Sequence, residues 1–153
     1  MVVRGALGET VSNPRIVEIF PGISTAHEDL PEKARKYLNQ AMQTLTAPDA
    51  SAVMSGSAVD AMLKESGYEK GSVYDRIDNA VKDHIITAAM GEWAHVVRLG
   101  ANRPRHADKD APHVSDDEAK QSLEFAEALG NFLFVLTAKI DRGIRAAQPE
   151  PSA

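Results

Sequence analysis

One long amphipathic helix is predicted by the stretch Ser115-Asp-Asp-Glu-Ala-Lys-Gln-Ser-Leu-Glu-Phe-Ala-Glu-Ala-Leu-Gly-Asn-Phe-Leu-Phe-Val-Leu-Thr-Ala-Lys-Ile140. Ser115 and Glu118 form a capping box, the pattern that marks a helix start. After this start, apolar residues recur every three or four positions, which places them on one side of a helix. The inward side consists of Ala119, Leu123, Phe125, Ala126, Leu129, Phe132, Leu133, Leu136, Thr137 and Ile140. Because this side is wide, the helix is expected to be central or to cover two partners.

Four further helices are predicted before this stretch. The first covers residues 31–45, and the second begins with a first-turn proline and covers residues 48–67. The third begins at the capping pattern of Ser72. The fourth covers residues 85–102 and is expected to end there, because Pro104 has no amide hydrogen and restricts the residue before it.

The second helix is rich in small side chains, which predicts close packing against its neighbours. Its inward face is expected to hold Ala50, Val53, Met54, Ser57, Ala58, Ala61 and Met62. The chain shows no internal repeat and no alternation of strands with helices. These patterns together predict an all-α protein, an antiparallel helical bundle of about five helices.

The chain is predicted to have three parts. Residues 1–28 form a short extended N-terminal segment, with one β-rich stretch at residues 15–20 that Pro21 ends. Residues 29–147 form the helical domain. Residues 148–153 are predicted to be a disordered tail.

Composition narrows the class of protein. The chain has 153 residues, is 43% hydrophobic and 25% charged, and carries a formal net charge of -5, which argues against a general nucleic-acid coat. It contains no cysteine, which excludes disulfides and thiolate metal sites. No apolar run has the length of a membrane span, so we expect a cytoplasmic protein without membrane association.

Basic and polar residues crowd the end of the fourth predicted helix. Arg98 and Asn102 are four residues apart and share one helical face, and His95 joins that face. If the chain turns at Pro104, His106 can fold back beside Arg98. His106 would then act as general acid or base on a ribose 2′-hydroxyl, while Arg98 stabilises the charge on the phosphorane.

Two other interpretations of this cluster stay open. Basic residues at a helix C-terminus also complement the helix dipole and need no further role. The loop after this helix offers nitrogen and oxygen ligands for a metal ion, in a spacing unlike that of known zinc motifs. Those ligands are His106, Asp108, Asp110 and His113. The catalytic interpretation requires no metal or other cofactor.

The chain resembles a bacterial family of helical domains in the HEPN superfamily. The resemblance is carried by residues 30–41, residues 57–63 and the Arg98-Leu-Gly-Ala-Asn-Arg-Pro-Arg-His106 segment. It implies an antiparallel bundle, a homodimer and metal-independent RNA cleavage. The positions that match the family's catalytic residues are Arg98, Asn102 and His106, and the neighbouring substrate-binding candidates are His95, Arg103 and Arg105.

Two function classes are consistent with these observations. The first is a ribonuclease or RNA-processing module of a defence or stress system. The second is a non-enzymatic dimeric domain that binds a nucleotide or a partner protein. A homodimer is predicted in both, because the apolar side of the last helix, beside Phe132 and Phe134, is wider than one bundle needs.

Overall fold

The computed structural model describes residues 25–149, and in this part of the chain every regular element is helical. Most of the predicted N-terminal segment, its strand at residues 15–20 and the end of the predicted tail lie outside the described residues. The predicted all-α bundle of about five helices is confirmed. The helices are α1 Glu32–Gln43, α2 Pro48–Glu65, α3 Val73–Lys82, α4 Ala88–His106 and α5 Asp116–Gly130, which continues through a π-helical turn, Asn131–Val135, into α6 Leu136–Ala147.

The helix predicted to be long is formed by α5, the π-helical turn and α6. Its capping box is present, since the Ser115 hydroxyl accepts the Glu118 amide at 3.2 Å and the Glu118 carboxylate accepts the Ser115 amide at 2.8 Å. Gly130 and Asn131 keep helical dihedral angles, so the rod has no break and is about 48 Å long. The π-helical turn changes the direction in which the side chains of α6 point, and no residue of α6 is buried.

The core lies around α2, which contacts α1, α3, α4 and α5. Leu38 of α1, Met62 of α2 and both Phe125 and Leu129 of α5 are fully buried. Each such side chain contributes about 1.5–3 kcal/mol through the removal of apolar surface from water. Burial of this kind packs α1 and α5 against α2, and the remaining sides of α2 contact α3 and α4.

The contact between α2 and α4 is unusually close. A Cβ atom at Gly56 would lie 2.6 Å from the Cβ atom of Ala101, a separation that real side chains do not adopt. The predicted close packing of α2 through small residues is therefore confirmed, but the face of α2 that was predicted to be buried was partly wrong. Small residues occur on several sides of α2, so the spacing of apolar residues in its sequence did not mark one buried face clearly. The buried residues are Ser51, Ala52, Ser55, Ala58, Val59, Met62 and Leu63, and Ser57 lines a cleft instead.

The prediction that Pro104 ends the fourth helix was wrong, because α4 runs through Pro104 to His106. A proline here removes only the bond that its own amide would have made to the carbonyl of Gly100. The next turn still closes, since the Ala107 amide donates to the carbonyl of Arg103 at 3.2 Å. The helix ends at Ala107, which adopts a left-handed conformation with φ 48°.

The close contact of α2 with α4 predicts that replacing glycine by alanine has opposite effects on stability at two positions. Gly56→Ala should lower the free energy of unfolding by about 1–3 kcal/mol, because the rigid Ala101 methyl cannot move aside. Gly143→Ala, in α6 with nothing within 4 Å of the added methyl, should raise it by about 0.5–1 kcal/mol through helix propensity. Urea denaturation measures both, and equal stabilisation by the two variants would contradict the close contact.

Candidate functional site

A cleft of about 340 Å³ lies where α1, α2, α4 and the start of α3 meet. This volume is within the range of small-molecule binding sites. One wall is α1, with Lys33 and Tyr37, and the close approach of Gly56 to Ala101 forms part of the lining. The cleft therefore exists because two helices touch at their backbones while their longer side chains project beside the contact.

Three polar residues of α4 line this cleft in one row. Arg98, Asn102 and Arg105 are spaced four and three residues apart, which keeps them on one helical face. The predicted shared face of Arg98 and Asn102 is thus confirmed. Arg105 joins them because α4 does not break at Pro104.

The cleft has a local excess of positive charge in an acidic chain. Its charged lining residues are the cations Lys33, Lys64, Arg98 and Arg105 and the anions Asp60 and Glu65. Asp60 is already engaged, since its carboxylate lies 2.8 Å from the Lys64 ammonium and 2.9 Å from the Arg76 guanidinium. Within residues 25–149, neither Arg98 nor Arg105 has a carboxylate within ion-pair distance. Two arginine side chains therefore face the cleft, and no carboxylate of the described residues neutralises their charge.

These two arginines are held by neutral groups. The guanidinium carbon of Arg98 lies 5.4 Å from the centre of the Tyr74 ring, a cation–π distance. The Nε atom of Arg98 is buried and has no hydrogen-bond partner among the described residues. Arg105 donates from Nη2 to the hydroxyl of Ser57 at 3.1 Å. Such contacts orient a guanidinium and leave its charge available to an anion.

His95 and Arg103, predicted to bind substrate, do not line the cleft. The Nε2 atom of His95 lies 2.9 Å from an oxygen of Asp78 on α3. Arg103 donates to Glu118 at 2.7 Å and so connects the end of α4 to the start of α5. Arg103 is turned toward the loop after α4 because it lies outside the row of residues that faces α2.

The predicted return of His106 to Arg98 was wrong. His106 is exposed in the last turn of α4 and is not among the residues that line the cleft. Eight residues along a helix place it about 12 Å further on the axis and about 80° around it. The cause is the continuation of α4 through Pro104. A catalytic role for Arg98, Asn102 and His106 stays a prediction.

The loop after α4 is connected to α2 by a carboxylate that the sequence interpretation missed. Asp49 accepts the Val114 amide at 2.8 Å, and its other oxygen lies 2.6 Å from Nδ1 of His113. The Val114 amide and then His113 hold the pKa of Asp49 below its ordinary value of 3.8. No group of three or more histidine, aspartate or glutamate side chains that could hold a metal ion occurs in residues 25–149.

Comparison with protein-family models matches residues 32–146 to a domain of unknown function, DUF4145. The chain belongs to this family. The matched residues extend from α1 into α6 and include every described residue that lines the cleft except Pro31. Comparisons with curated proteins and with solved structures gave no match. No helix in the described part of the domain is long and apolar enough to cross a membrane.

The Asp49 connection predicts a pH-dependent contribution to stability. Asp49→Asn should lower the free energy of unfolding at pH 7 by about 0.5–1 kcal/mol, a low value because the carboxylate is partly exposed. Because the folded-state pKa is lowered, the contribution is complete above pH 3.8 and disappears as the pH falls through the folded-state value. Urea denaturation between pH 3 and pH 7 measures the difference.

Asp110→Asn is the matched control, since this exposed loop carboxylate has no hydrogen-bond or ion-pair partner among the described residues. It should leave the stability unchanged at every pH. A difference between wild type and Asp49→Asn that grows on acidification would contradict the assigned direction of the pKa shift.

Proposed function

We propose that this DUF4145 domain is a binding module whose cleft holds a small phosphate-bearing ligand, such as a nucleotide. The observation that carries the proposal is the row of Arg98, Asn102 and Arg105 on one wall of the cleft. Guanidinium groups bind phosphate oxygens through paired charge-assisted hydrogen bonds. The Asn102 amide adds a neutral donor at the same wall. The Ser57 hydroxyl on α2 donates to the Val53 carbonyl at 2.9 Å and accepts from Arg105, so it positions Arg105.

The charge distribution supports an anionic ligand. The chain has a net charge of -5, yet the cleft lining has four cations and two carboxylates. Because Asp60 is engaged by Lys64 and Arg76, it offers little competition for the two arginines of α4. Binding in a cleft with this charge pattern is expected to weaken as ionic strength rises.

Binding is better supported than RNA cleavage. No histidine is among the described residues that line the cleft, and His106 lies about two helical turns beyond Arg98. Metal-independent cleavage by Arg98, Asn102 and His106, a place in the HEPN superfamily and a role in defence or stress stay predictions from sequence resemblance. The same resemblance favours a nucleotide or RNA as the source of the phosphate.

The cleft proposal predicts which arginine variants lose affinity for pyrophosphate. Arg98→Ala and Arg105→Ala should each weaken binding by about 1.5–3 kcal/mol, because each removes charge-assisted hydrogen bonds. Arg145→Ala is the matched control, since Arg145 is exposed on α6 and lies outside the cleft. Isothermal titration calorimetry at low salt measures the three affinities.

His106→Ala extends this experiment to the catalytic prediction. It should bind pyrophosphate as wild type does, because its side chain lies outside the cleft. Absence of binding by the wild-type protein, or an equal loss in Arg145→Ala, would contradict the proposal. Cleavage of labelled RNA in EDTA by wild type, abolished in His106→Ala, would favour the enzymatic class instead.

We also propose that the domain forms a homodimer through α6. Leu136, Ile140 and Ile144 recur every four residues and are 49%, 51% and 56% exposed. The described contact that ties α6 back to the domain is a two-bond pair from Arg142 to Asp29, at 3.0 and 3.2 Å. No residue of α6 is buried, although α6 carries this apolar stripe, so the stripe favours a covering partner.

Charge along the rod favours a second copy as that partner. The first turn of α5 is acidic, with Asp116, Asp117 and Glu118, whereas the basic residues of α6 are Lys139, Arg142 and Arg145. If two rods lie antiparallel, the acidic end of each copy meets the basic end of the other. Lys139 and Arg142 lie within residues 136–144, the span of the apolar stripe, so the acidic turn of the partner's α5 would lie beside that stripe.

The dimer proposal predicts a large effect of one charge in the stripe. Ile140→Glu should raise the dimer dissociation constant at least tenfold. Each copy loses about 1.5–3 kcal/mol of apolar burial, and the interface must in addition bury a charged carboxylate. Ile85→Glu makes the same change at an exposed isoleucine outside α6 and should leave the dimer intact. Sedimentation equilibrium measures both, and a wild type that stays monomeric at high micromolar concentration would contradict the dimer.

A further inference from the structure

Tyr74 on α3 lies between two residues of α4. Its ring centre is 4.6 Å from the ring centre of His95, with 35° between the planes. Its ring also lies 5.4 Å from the guanidinium carbon of Arg98. His95 and Arg98 are three residues apart on one helical face, so a single aromatic ring contacts both. Arg98 is the only one of these three residues that lines the cleft.

The His95 ring that contacts Tyr74 is held in turn by a hydrogen-bonding contact with Asp78. His95 Nε2 lies 2.9 Å from Asp78 Oδ1, and Asp78 is four residues after Tyr74 on the same helix. Tyr74 and Asp78 therefore face α4 together. The Nδ1 atom of His95 is buried and has no partner among the described residues. The imidazole is thus held between α3 and α4 and is not among the described residues that line the cleft.

We infer that Tyr74, supported by His95 and Asp78, is a positioning residue that holds the Arg98 guanidinium ready for the phosphate of the ligand. This inference rests on the proposed function of the cleft. The contacts form a sequence from Asp78 to His95, from His95 to Tyr74 and from Tyr74 to Arg98. His95, predicted from sequence to bind substrate, acts in this arrangement through Arg98.

The physical basis is the order that a cation–π contact imposes on a long side chain. A free arginine side chain samples many rotamers, and a ligand must select one of them at an entropic cost. Contact with the face of an aromatic ring restricts the guanidinium before the ligand arrives. The N–H donors lie at the edge of the guanidinium plane, so a guanidinium in contact with a ring face can still form paired hydrogen bonds with a phosphate.

The aromatic ring, and not the hydroxyl, is the part of Tyr74 that this inference requires. Tyr74→Leu should weaken pyrophosphate binding by about two- to fivefold, the range of an exposed cation–π contact. Tyr74→Phe keeps the ring and should bind within about twofold of wild type. Because Tyr74 is 49% exposed, both variants should fold and melt as the wild-type protein does. Calorimetric titration of the three proteins with pyrophosphate gives the comparison.

A second measurement observes Arg98 without any ligand. Nitrogen-15 relaxation of the Arg98 Nε–H group should report a restricted side chain in wild type and in Tyr74→Phe, and a mobile one in Tyr74→Leu. This measurement separates the two proposals. Absence of pyrophosphate binding by the wild-type protein would contradict the proposed function of the cleft. Unchanged mobility of Arg98 in Tyr74→Leu would contradict the positioning role of Tyr74. Equal weakening by Leu and Phe would also overturn the inference, because it would assign the effect to the hydroxyl.

Discussion

The contact of α2 with α4 at Gly56 and Ala101 is the constraint on which the cleft depends. A side chain at position 56 would meet the Ala101 methyl at 2.6 Å, so the two helices can approach only because the glycine has none. This approach brings Ser57 within 3.1 Å of Arg105 and places Asp60 in the same cleft as Arg98. If the helix axes moved apart, the two walls would separate and the charged residues would face bulk water, where their electrostatic effect is small.

The four arginines of α3 and α4 divide into two groups by their partners. Arg76 and Arg103 each bond a carboxylate, Asp60 and Glu118, and connect one helix to another. Arg98 and Arg105 rest on an aromatic ring and a hydroxyl, which are neutral and leave the positive charge uncompensated. In these two helices, neutral support therefore distinguishes the arginines proposed to bind an anion from those that connect one helix to another. The proposed binding function rests on this division more than on any single residue.

Local signals in the sequence predicted the helices well and the contacts between them poorly. The capping boxes at Ser72 and Ser115 both form, because each depends on residues three positions apart. The end of α4 was misplaced because Pro104 falls in the last turn, where the loss of one hydrogen bond is tolerated. The shared face of Arg98 and Asn102 could be predicted from helical spacing alone. Contacts such as Asp49 with His113, which are 64 residues apart, leave no local pattern and could not be predicted.

The central claim is that an anion binds in the cleft between α2 and α4. A titration of the nitrogen-15 labelled domain with pyrophosphate, monitored by amide chemical shifts, tests it most directly. We expect saturable shifts at Ser57, Arg98, Asn102 and Arg105, with one common dissociation constant that rises with added salt. Shifts confined to the loop of residues 107–115 or to α6, or shifts that do not saturate, would contradict the claim.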